Sequence, residues 1–303
     1  MAITHPFHLT QRGVLCVAGA DRQAFLQGLI SNDITRCTPQ ASLYAALLTP
    51  QGKFLHDFFI YDAGDFFLID CESDRADDLL QRLRAYKLRA KVTVEDMSDA
   101  YEVWIFPEGS EGLVDPRLST LGNRGVIRKS SPPLADLMQR HQIENERELI
   151  NKSLYVDEPP PAPPASGVGA YDHLRLTLGI ADGSRDMEVG KSTLLDGNFD
   201  FLNGISWTKG CYVGQELTAR MHHRDLVKKR LFPVRIDGTP PPFGAIIRQG
   251  GQEVGVMRSH NDTIGLALLN VEAAKQAIQT STGLACETAS LSPYLPDWMK
   301  TTF

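Results

Sequence analysis

The chain has 303 residues, of which 42% are hydrophobic, and its formal net charge is −6 at pH 7. This length exceeds the usual size of a single hydrophobic core and predicts about two or three domains. The acidic balance, with a pI near 5.8, disfavours a nucleic-acid-binding surface, because the neutralisation of phosphates requires a basic face. We therefore expect no direct nucleic-acid partner.

The five cysteines are scattered, and no two of them have C-x-x-C spacing. We interpret them as reduced thiols, which predicts a cytoplasmic protein. Residues 1–12 lack the apolar core of a signal peptide, and no apolar run is long enough to cross a bilayer, so we expect no membrane association. The cysteines are Cys16, Cys37, Cys71, Cys211 and Cys286.

The pattern of residues 44–95 alternates between strands and one helix, which is typical of α+β folds. The helix is predicted to be capped by Ser73 or Asp74, and its leucines recur at helical spacing. The predicted strands are residues 44–48, 54–61, 66–70 and 91–95, with a turn at residues 49–52 between the first two.

A looser version of the same pattern follows. Residues 101–106 and the pair Val126-Ile127 are predicted strands, and a helix is predicted from Pro133 to about Leu149. The proline-rich run at residues 158–164 cannot form a helix or a central strand, because proline supplies no amide donor. It predicts an exposed, extended loop.

After Lys228-Lys229-Arg230 the chain changes to short apolar runs separated by glycine and proline. Regular short strands with turn residues between them predict a small β-barrel or sandwich. We therefore predict an α+β region of two interleaved subdomains at residues 1–228 and a C-terminal β-barrel at residues 229–303. The predicted barrel strands are residues 231–236, 245–248, 253–257 and 264–269.

Residues 209–216 combine a thiol, an ammonium, two glycines and an amide–carboxylate pair. Cys211 lies near Lys209 and just ahead of a helix predicted to begin near Gly214, and the positive potential there favours the thiolate. A thiolate can attack, oxidise or bind metal, and the residues alone leave these roles open. The alternative is that Cys211 is a small, buried hydrophobic residue, which is the commonest environment of a free cysteine. The supporting residues of the motif are Gly210, Tyr212, Gly214, Gln215 and Glu216.

The sequence disfavours a complete metal site around Cys211. An iron-sulfur cluster normally requires four ligands, mostly cysteines, and no second clustered thiol is present. Zinc is disfavoured for the same reason, since the neighbouring His222 and His223 would point apart. One thiolate could still ligate a cluster shared with a partner protein. The absence of phosphate-loop, dinucleotide-binding and nucleophile-elbow motifs disfavours nucleotide cofactors and triad hydrolysis.

Residues 209–216, followed by Ala219-Arg220, resemble the K-G-C-Y-x-G-Q-E signature of the YgfZ family of folate-binding proteins, relatives of the mitochondrial iron-sulfur assembly factors. The resemblance extends over nearly the whole chain. Its other matches are Phe25-Leu26-Gln27-Gly28 with Ser31-Asn32-Asp33, Thr49-Pro50-Gln51-Gly52-Lys53, Asp115-Pro116-Arg117, Leu121-Gly122-Asn123-Arg124, Leu174-Arg175 with Gly179, and Gly204-Ile205-Ser206-Trp207.

The same family is similar to the glycine-cleavage T-protein, an aminomethyltransferase that uses tetrahydrofolate. This resemblance implies a pseudo-symmetric α+β body with a central folate channel, followed by a C-terminal β-barrel. T-proteins carry paired aspartates where this chain has His56-Asp57, a glutamate where it has Thr177, and an acidic residue in place of Cys211. The differences at His56-Asp57 and Thr177 argue against aminomethyl transfer.

The resemblance implies a tetrahydrofolate-binding accessory factor for the assembly or repair of iron-sulfur clusters in client enzymes. Cys211 would be a transient cluster ligand or redox thiol, and Lys209 would stabilise its thiolate. The implied partners are an A-type iron-sulfur carrier protein and the client enzymes. The alternatives are a folate-dependent aminomethyltransferase and a thiol redox sensor, which would need a resolving cysteine. The implied folate contacts are Asn32, Asp33, Asp57 and Arg175.

Overall fold

A computed structural model describes residues 3–129, 167–224 and 226–300. The helix predicted at residues 133–149 and the predicted proline-rich loop lie outside these residues. The chain divides into two units, each of which is described by itself below. The first unit comprises Met1–Leu48, Leu55–Ala170 and Leu202–Val213, and the second comprises Thr49–Phe54, Tyr171–Phe201 and Gly214–Phe303.

The first unit contains a five-stranded sheet built from apolar, largely buried strands. These strands are β2 (Arg12–Ala18), β3 (Leu43–Leu48), β4 (Phe54–Asp62), β5 (Phe66–Glu72) and β6 (Thr93–Asp96). Their order across the sheet is β3-β4-β5-β2-β6. Two helices, α1 (Arg22–Gln27) and α2 (Ala76–Lys87), contribute apolar residues to the same core as the strands. The predicted strands of this region are confirmed to within a few residues.

Helix α2 differs from its prediction at the amino end. The segment Ser73–Arg75 forms a separate 3₁₀ turn, and the N-cap of α2 is Arg75, which makes no side-chain capping bond. The predicted cap at Ser73 or Asp74 is therefore wrong, because the chain makes a tighter turn before the α-helix begins.

A smaller, four-stranded sheet completes the first unit. Its strands are β1 (Phe7–His8), β7 (Tyr101–Phe106), β8 (Leu113–Val114) and β9 (Asn123–Arg128). Their order is β1-β7-β9-β8. The predicted strands at residues 101–106 and 126–127 are confirmed, and the second is longer than predicted.

The second unit contains a closed six-stranded barrel, in the order β10-β13-β12-β11-β14-β15. The predicted barrel is therefore confirmed, and its first strand begins at Lys229. The division of the chain at residue 228 stays a prediction. The barrel strands are β10 (Lys229–Asp237), β11 (Ile246–Gln249), β12 (Gln252–His260), β13 (Ile264–Asn270), β14 (Leu284–Cys286) and β15 (Ala289–Pro293).

Four more helices are described. They are α3 (Gly167–Thr177), α4 (Gln215–His223), α5 (Val271–Thr280) and α6 (Asp297–Lys300). Helix α5 is capped by Asn270, whose side chain accepts hydrogen bonds from the amides of Glu272 and Ala273. Within the described part of the chain, no helix has the length and apolar character needed to cross a membrane.

Candidate functional site

Residues 203–213, which we call the anchored segment, are hydrogen-bonded to the loop at residues 28–33. Both belong to the first unit. The backbone of Val213 closes one end of this contact, and its side chain packs against the core of the unit. The bonds run from Ser31 Oγ to Gly204 O (2.6 Å), from Ser206 N to Ser31 O (3.0 Å) and from Val213 N to Gly28 O (3.1 Å).

Lys209 holds the middle of the anchored segment. Its Nζ donates to the carbonyl oxygens of Ile30 and Asn32, both at 2.7 Å, and lies 5.0 Å from the ring centroid of Tyr212. Burial lowers the pKa of Lys209 to about 8, although Asp33 acts in the opposite direction. These hydrogen bonds give the ammonium an anchoring role. The stabilisation of the Cys211 thiolate by Lys209 stays a prediction.

Cys211 lies between the two anchors, Lys209 and Val213, and is exposed to solvent. The other four cysteines are buried. Burial raises the pKa of the Cys16 and Cys71 thiols to about 12 in each case. The alternative that Cys211 is a buried hydrophobic residue is therefore wrong, and Cys211 is the thiol that another molecule can reach.

The helix predicted after the motif is confirmed as α4, with Gly214 as its N-cap at a φ of +82°. That left-handed conformation favours glycine. Gly52 lies against the first turn of α4, because a Cβ atom added to Gly52 would lie 2.6 Å from Leu217 Cβ. Glu216 is exposed in the first turn, 4.0 Å from Arg220. Two of the resembling motifs therefore meet in the second unit.

Asn32 and Asp33, two predicted folate contacts, differ in their burial and in the hydrogen bonds that they make within the protein. Asn32 is buried, its Nδ2 donates to Tyr44 O (2.8 Å) and Asn203 O (2.7 Å), and its Oδ1 accepts from Asp33 N. Its amide thus supports the loop. Asp33 is half-buried and caps a 3₁₀ turn through Thr35. Although burial opposes it, hydrogen bonding from Thr35 and Gln27 lowers the pKa of Asp33.

Asp57 is linked to this loop through Tyr44. The Tyr44 hydroxyl donates to Asp57 Oδ2 at 2.9 Å, and the Tyr44 carbonyl accepts from Asn32. Burial, with the nearby Asp57 carboxylate, raises the pKa of Tyr44 well above its ordinary value. The structure therefore connects four of the predicted site residues within the first unit: Lys209, Asn32, Asp33 and Asp57.

His56 makes a separate contact. Its Nε2 lies 2.8 Å from Asp78 Oδ2 on helix α2, on the opposite side of β4 from Asp57, as the alternation of a strand requires. Burial lowers the pKa of His56 to about 4. The imidazole is therefore neutral at pH 7, and the contact with Asp78 is a hydrogen bond between a neutral ring and a carboxylate.

A buried group of charges surrounds the ring of Phe59, and no single motif of the chain predicts the whole group. Asp70 accepts hydrogen bonds from Arg12 Nε and Arg124 Nε, each at 2.5 Å. Burial alone would raise the pKa of Asp70, but these two guanidinium groups lower it. The guanidinium groups lie 5.9 Å (Arg12), 4.7 Å (Arg117) and 4.2 Å (Arg124) from the centroid of Phe59.

A sequence signal existed for part of this group. Arg117 and Arg124 lie in two of the resembling motifs, and Arg117 pairs with Asp115 only two residues away. Arg12 and Asp70, in contrast, are 58 residues apart and meet only because β2 pairs with β5. Among the described residues, the buried Tyr61 hydroxyl beside this group has no hydrogen-bond partner. A polar ligand or water would satisfy such a group.

Arg175 lies in the second unit and is surrounded by its own partners. Its Nε donates to Asp172 (2.7 Å), and its Nη atoms donate to Asp186 (2.8 Å), Ser259 (3.0 Å) and the Ile180 carbonyl (3.2 Å). These bonds engage most of the donors of a guanidinium group. Arg175 therefore braces α3 against β12, and the predicted folate contact does not fit it.

The predicted folate contacts consequently fit the ligand only in part. Asn32 and Arg175 are buried and engaged within the protein, so they do not fit a direct contact. Asp33 is half-buried, whereas Asp57 is buried and accepts a hydrogen bond from the Tyr44 hydroxyl, so the candidacy of Asp57 rests on the resemblance to folate-binding proteins and not on exposure. Only these two remain candidates.

The fold is that of the T-protein class. A solved glycine cleavage system aminomethyltransferase T from Bartonella henselae matches the chain with a TM-score of 0.67 and 14% identity, over 97% of this chain and 86% of that one. At this identity the likeness shows the fold alone. The family model for the CAF17 C-terminal β-barrel domain matches residues 228–301, which contain the whole closed barrel.

Similarity of sequence defines the family. The human mitochondrial iron-sulfur cluster assembly factor IBA57 is 33% identical over 97% of this chain and 85% of its own length. The mouse protein of the same name is 30% identical over the same shares. The chain belongs to the IBA57 family, the YgfZ and CAF17 group of proteins, and the predicted resemblance to YgfZ proteins is confirmed.

Proposed function

We propose that this protein takes part in the assembly or repair of iron-sulfur clusters, as the names of its relatives state for them. One observation carries the proposal for this chain: Cys211 is exposed between the buried Lys209 and the partly buried Val213, whereas every other cysteine is buried. In this proposal the iron-sulfur cluster is the group that is transferred to client enzymes, not a permanent cofactor of this protein. Cys211 supplies one thiolate ligand, and because the other thiols are buried, the remaining ligands come from a partner.

The partner in this proposal is an A-type iron-sulfur carrier protein, which meets the exposed thiol and passes a cluster to client enzymes. The anchored segment supports this role because its backbone is held at Gly204, Ser206 and Val213. A ligand held on a braced segment loses less conformational entropy when a partner binds. The relatives' names place those proteins in mitochondria, and the cytoplasmic location predicted for this chain stays a prediction.

Replacement of Cys211 by serine tests the role of the thiol. In cells that lack their native copy of the protein, Cys211→Ser should fail to restore the activity of [4Fe-4S] client enzymes. The thiolate is the form that binds metal, and a serine hydroxyl does not ionise at neutral pH. Thr208→Ala is the matched control, since Thr208 is exposed on the same segment. Full restoration by the serine variant would contradict the proposal.

We further propose that the first unit binds tetrahydrofolate, with Asp33 and Asp57 as its polar contacts. Support comes from the T-protein fold and from the connection of both residues to the anchored segment. Asp57→Asn should weaken tetrahydrofolate binding by about tenfold, because it removes a charge while an amide oxygen can still accept from Tyr44. Asp62→Asn, on the same strand, is the control. Equal affinity of the two variants, measured by calorimetric titration, would argue against Asp57 as a contact.

A further inference from the structure

The turn after helix α2 holds an exposed leucine in a conformation that disfavours it. Leu88 has φ +45° and ψ −110°, and the Ala90 amide donates to the Lys87 carbonyl at 2.8 Å. These values define a type II′ turn with Leu88 at its first central position, where glycine is the usual residue. The Cβ atom of leucine is crowded in this conformation.

Nothing in the packing of Leu88 offsets this strain, since its side chain is 88% exposed. The residues on each side of the turn hold it in place. Tyr86 and Ala90 pack against the core of the first unit, and the Lys91 amide donates to Asp21 Oδ2 at 2.7 Å. The fold therefore presents a leucine to solvent at a position where glycine would relieve the strain.

The turn is also strongly basic. Residues 84–91 contain four cations and no carboxylate, although the whole chain carries a net charge of −6. The Asp21 carboxylate lies at the turn, where its Oδ2 accepts a hydrogen bond from the Lys91 amide. An apolar tip surrounded by positive charge fits an acidic surface that contains an apolar pocket. The cations are Arg84, Lys87, Arg89 and Lys91.

The turn and the anchored segment lie at opposite ends of one short helix. Asp21, bonded to Lys91, is the N-cap of α1, and Gly28, bonded to Val213, is its C-cap. Six helical residues span about 9 Å. A protein interface of ordinary size, about 800 Å² on each partner, is large enough to cover both features.

We propose that Leu88 and its four surrounding cations form a second docking point for the protein partner that meets Cys211. This inference rests on the proposed function, and the partner is an iron-sulfur carrier with an acidic surface around an apolar pocket. An anionic membrane fits less well, because the chain is acidic overall and because even a myristoyl chain alone gives only marginal membrane binding.

Binding of the full-length protein to a purified A-type iron-sulfur carrier, measured anaerobically by calorimetry, tests the proposal. Leu88→Gly should raise the Kd by about tenfold or more, because it removes the anchor. The same variant should have a higher Tm, because glycine adopts the turn without strain. If Leu88 had a purely structural role, Leu88→Gly would not combine weaker binding with a higher Tm.

Leu226→Gly is the matched control, since Leu226 is an exposed leucine near Lys228 and Lys229 with an ordinary backbone conformation. Its Kd should stay within about twofold of the wild-type value, and its Tm should not rise. Arg89→Glu should weaken binding severalfold at low salt and less at about 0.5 M salt, whereas Arg248→Glu, an equal charge change in the barrel, should not.

Each result separates the inference from the proposed function. If the wild type binds the carrier and Leu88→Gly binds equally well, the docking point is wrong while the proposed function stands. If the wild type does not bind the carrier, the proposed partner and the docking point both fall. If Leu88 instead governs sedimentation with vesicles of about 30% anionic phospholipid, the protein partner is overturned in favour of a membrane. Loss of affinity in Leu88→Gly together with full client activity in Cys211→Ser would overturn the thiol role alone.

Discussion

The anchored segment of the first unit and the cluster around Arg175 in the second unit are both dense in hydrogen bonds, but they differ in what they expose. Arg175 is 2% exposed, and its bonds end on Asp172, Asp186 and Ser259 of its own unit. The anchored segment buries Lys209 and presents Cys211 to solvent. The difference teaches that a residue type matching a family motif indicates a ligand contact only when the side chain has donors or acceptors left to use.

The largest expected effect comes from breaking the cluster in the second unit. Arg175→Met should lower the free energy of unfolding by about 3–5 kcal/mol, because it leaves the buried Asp186 carboxylate without its cation. Chemical denaturation measures this loss. Tetrahydrofolate affinity of the protein that remains folded should not change, since the guanidinium group is engaged inside the unit.

Arg185→Met is the control for this substitution. Arg185 also pairs with Asp172 and Asp182, but its side chain is 46% exposed, so its removal should cost about 1 kcal/mol or less. If Arg175→Met had wild-type stability and weakened folate binding, Arg175 would be a ligand contact after all. The contrast between the cluster around Arg175 and the anchored segment would then be wrong.

The same comparison shows which parts of the fold the sequence could predict. Strands β3, β4 and β5 were predictable because their apolar runs are bounded by turn residues. The barrel was predictable as a class, but its closing strands were not, because β14 has only three residues and β15 only five. Their position is set by pairing with β10 and β11 and not by their own pattern.

The candidate site, like the fold, could be predicted from the sequence only in part. The motif identified Cys211 as the notable thiol and placed the start of α4 correctly. It could not show where the Lys209 ammonium points, because its acceptors, the carbonyls of Ile30 and Asn32, are about 180 residues away in the chain. The hydrogen bonds of Lys209 are therefore set by tertiary contacts that local spacing does not reveal.

An intermediate effect should appear in the pH dependence of the anchored segment. The pKa of Lys209 is about 8 in the folded protein and 10.5 as its ordinary value. Below pH 8 both states carry the proton, and the folded state bears the cost of a buried charge. Between about pH 8 and 10.5 the folded state releases the proton first, so folding stability rises. The full difference in pKa corresponds to roughly 3 kcal/mol, and solvent screening reduces it, so the wild type should gain on the order of 2 kcal/mol relative to Lys209→Met across this window.

Lys191→Met is the control for this pH profile, because the Lys191 side chain is 78% exposed. The stability difference between wild type and that variant should stay flat from pH 8 to 10.5. A flat profile for Lys209→Met as well would mean that the ammonium is not held away from water, and the anchored segment would lose its central anchor.

The smallest effect should follow from the serine variant of the exposed thiol. Cys211→Ser should change the free energy of unfolding by less than about 0.5 kcal/mol, because the thiol is exposed to solvent. Cys16→Ser, in contrast, places a hydroxyl in the core at a cost of about 1–3 kcal/mol. A Cys211→Ser protein that loses client activity but keeps its stability locates the defect in the thiol. If the stability of Cys211→Ser fell as far as that of Cys16→Ser, the loss of client activity would reflect misfolding. Cys211 would then support the fold as a buried residue does, and the contrast between buried structural residues and the exposed thiol would be wrong.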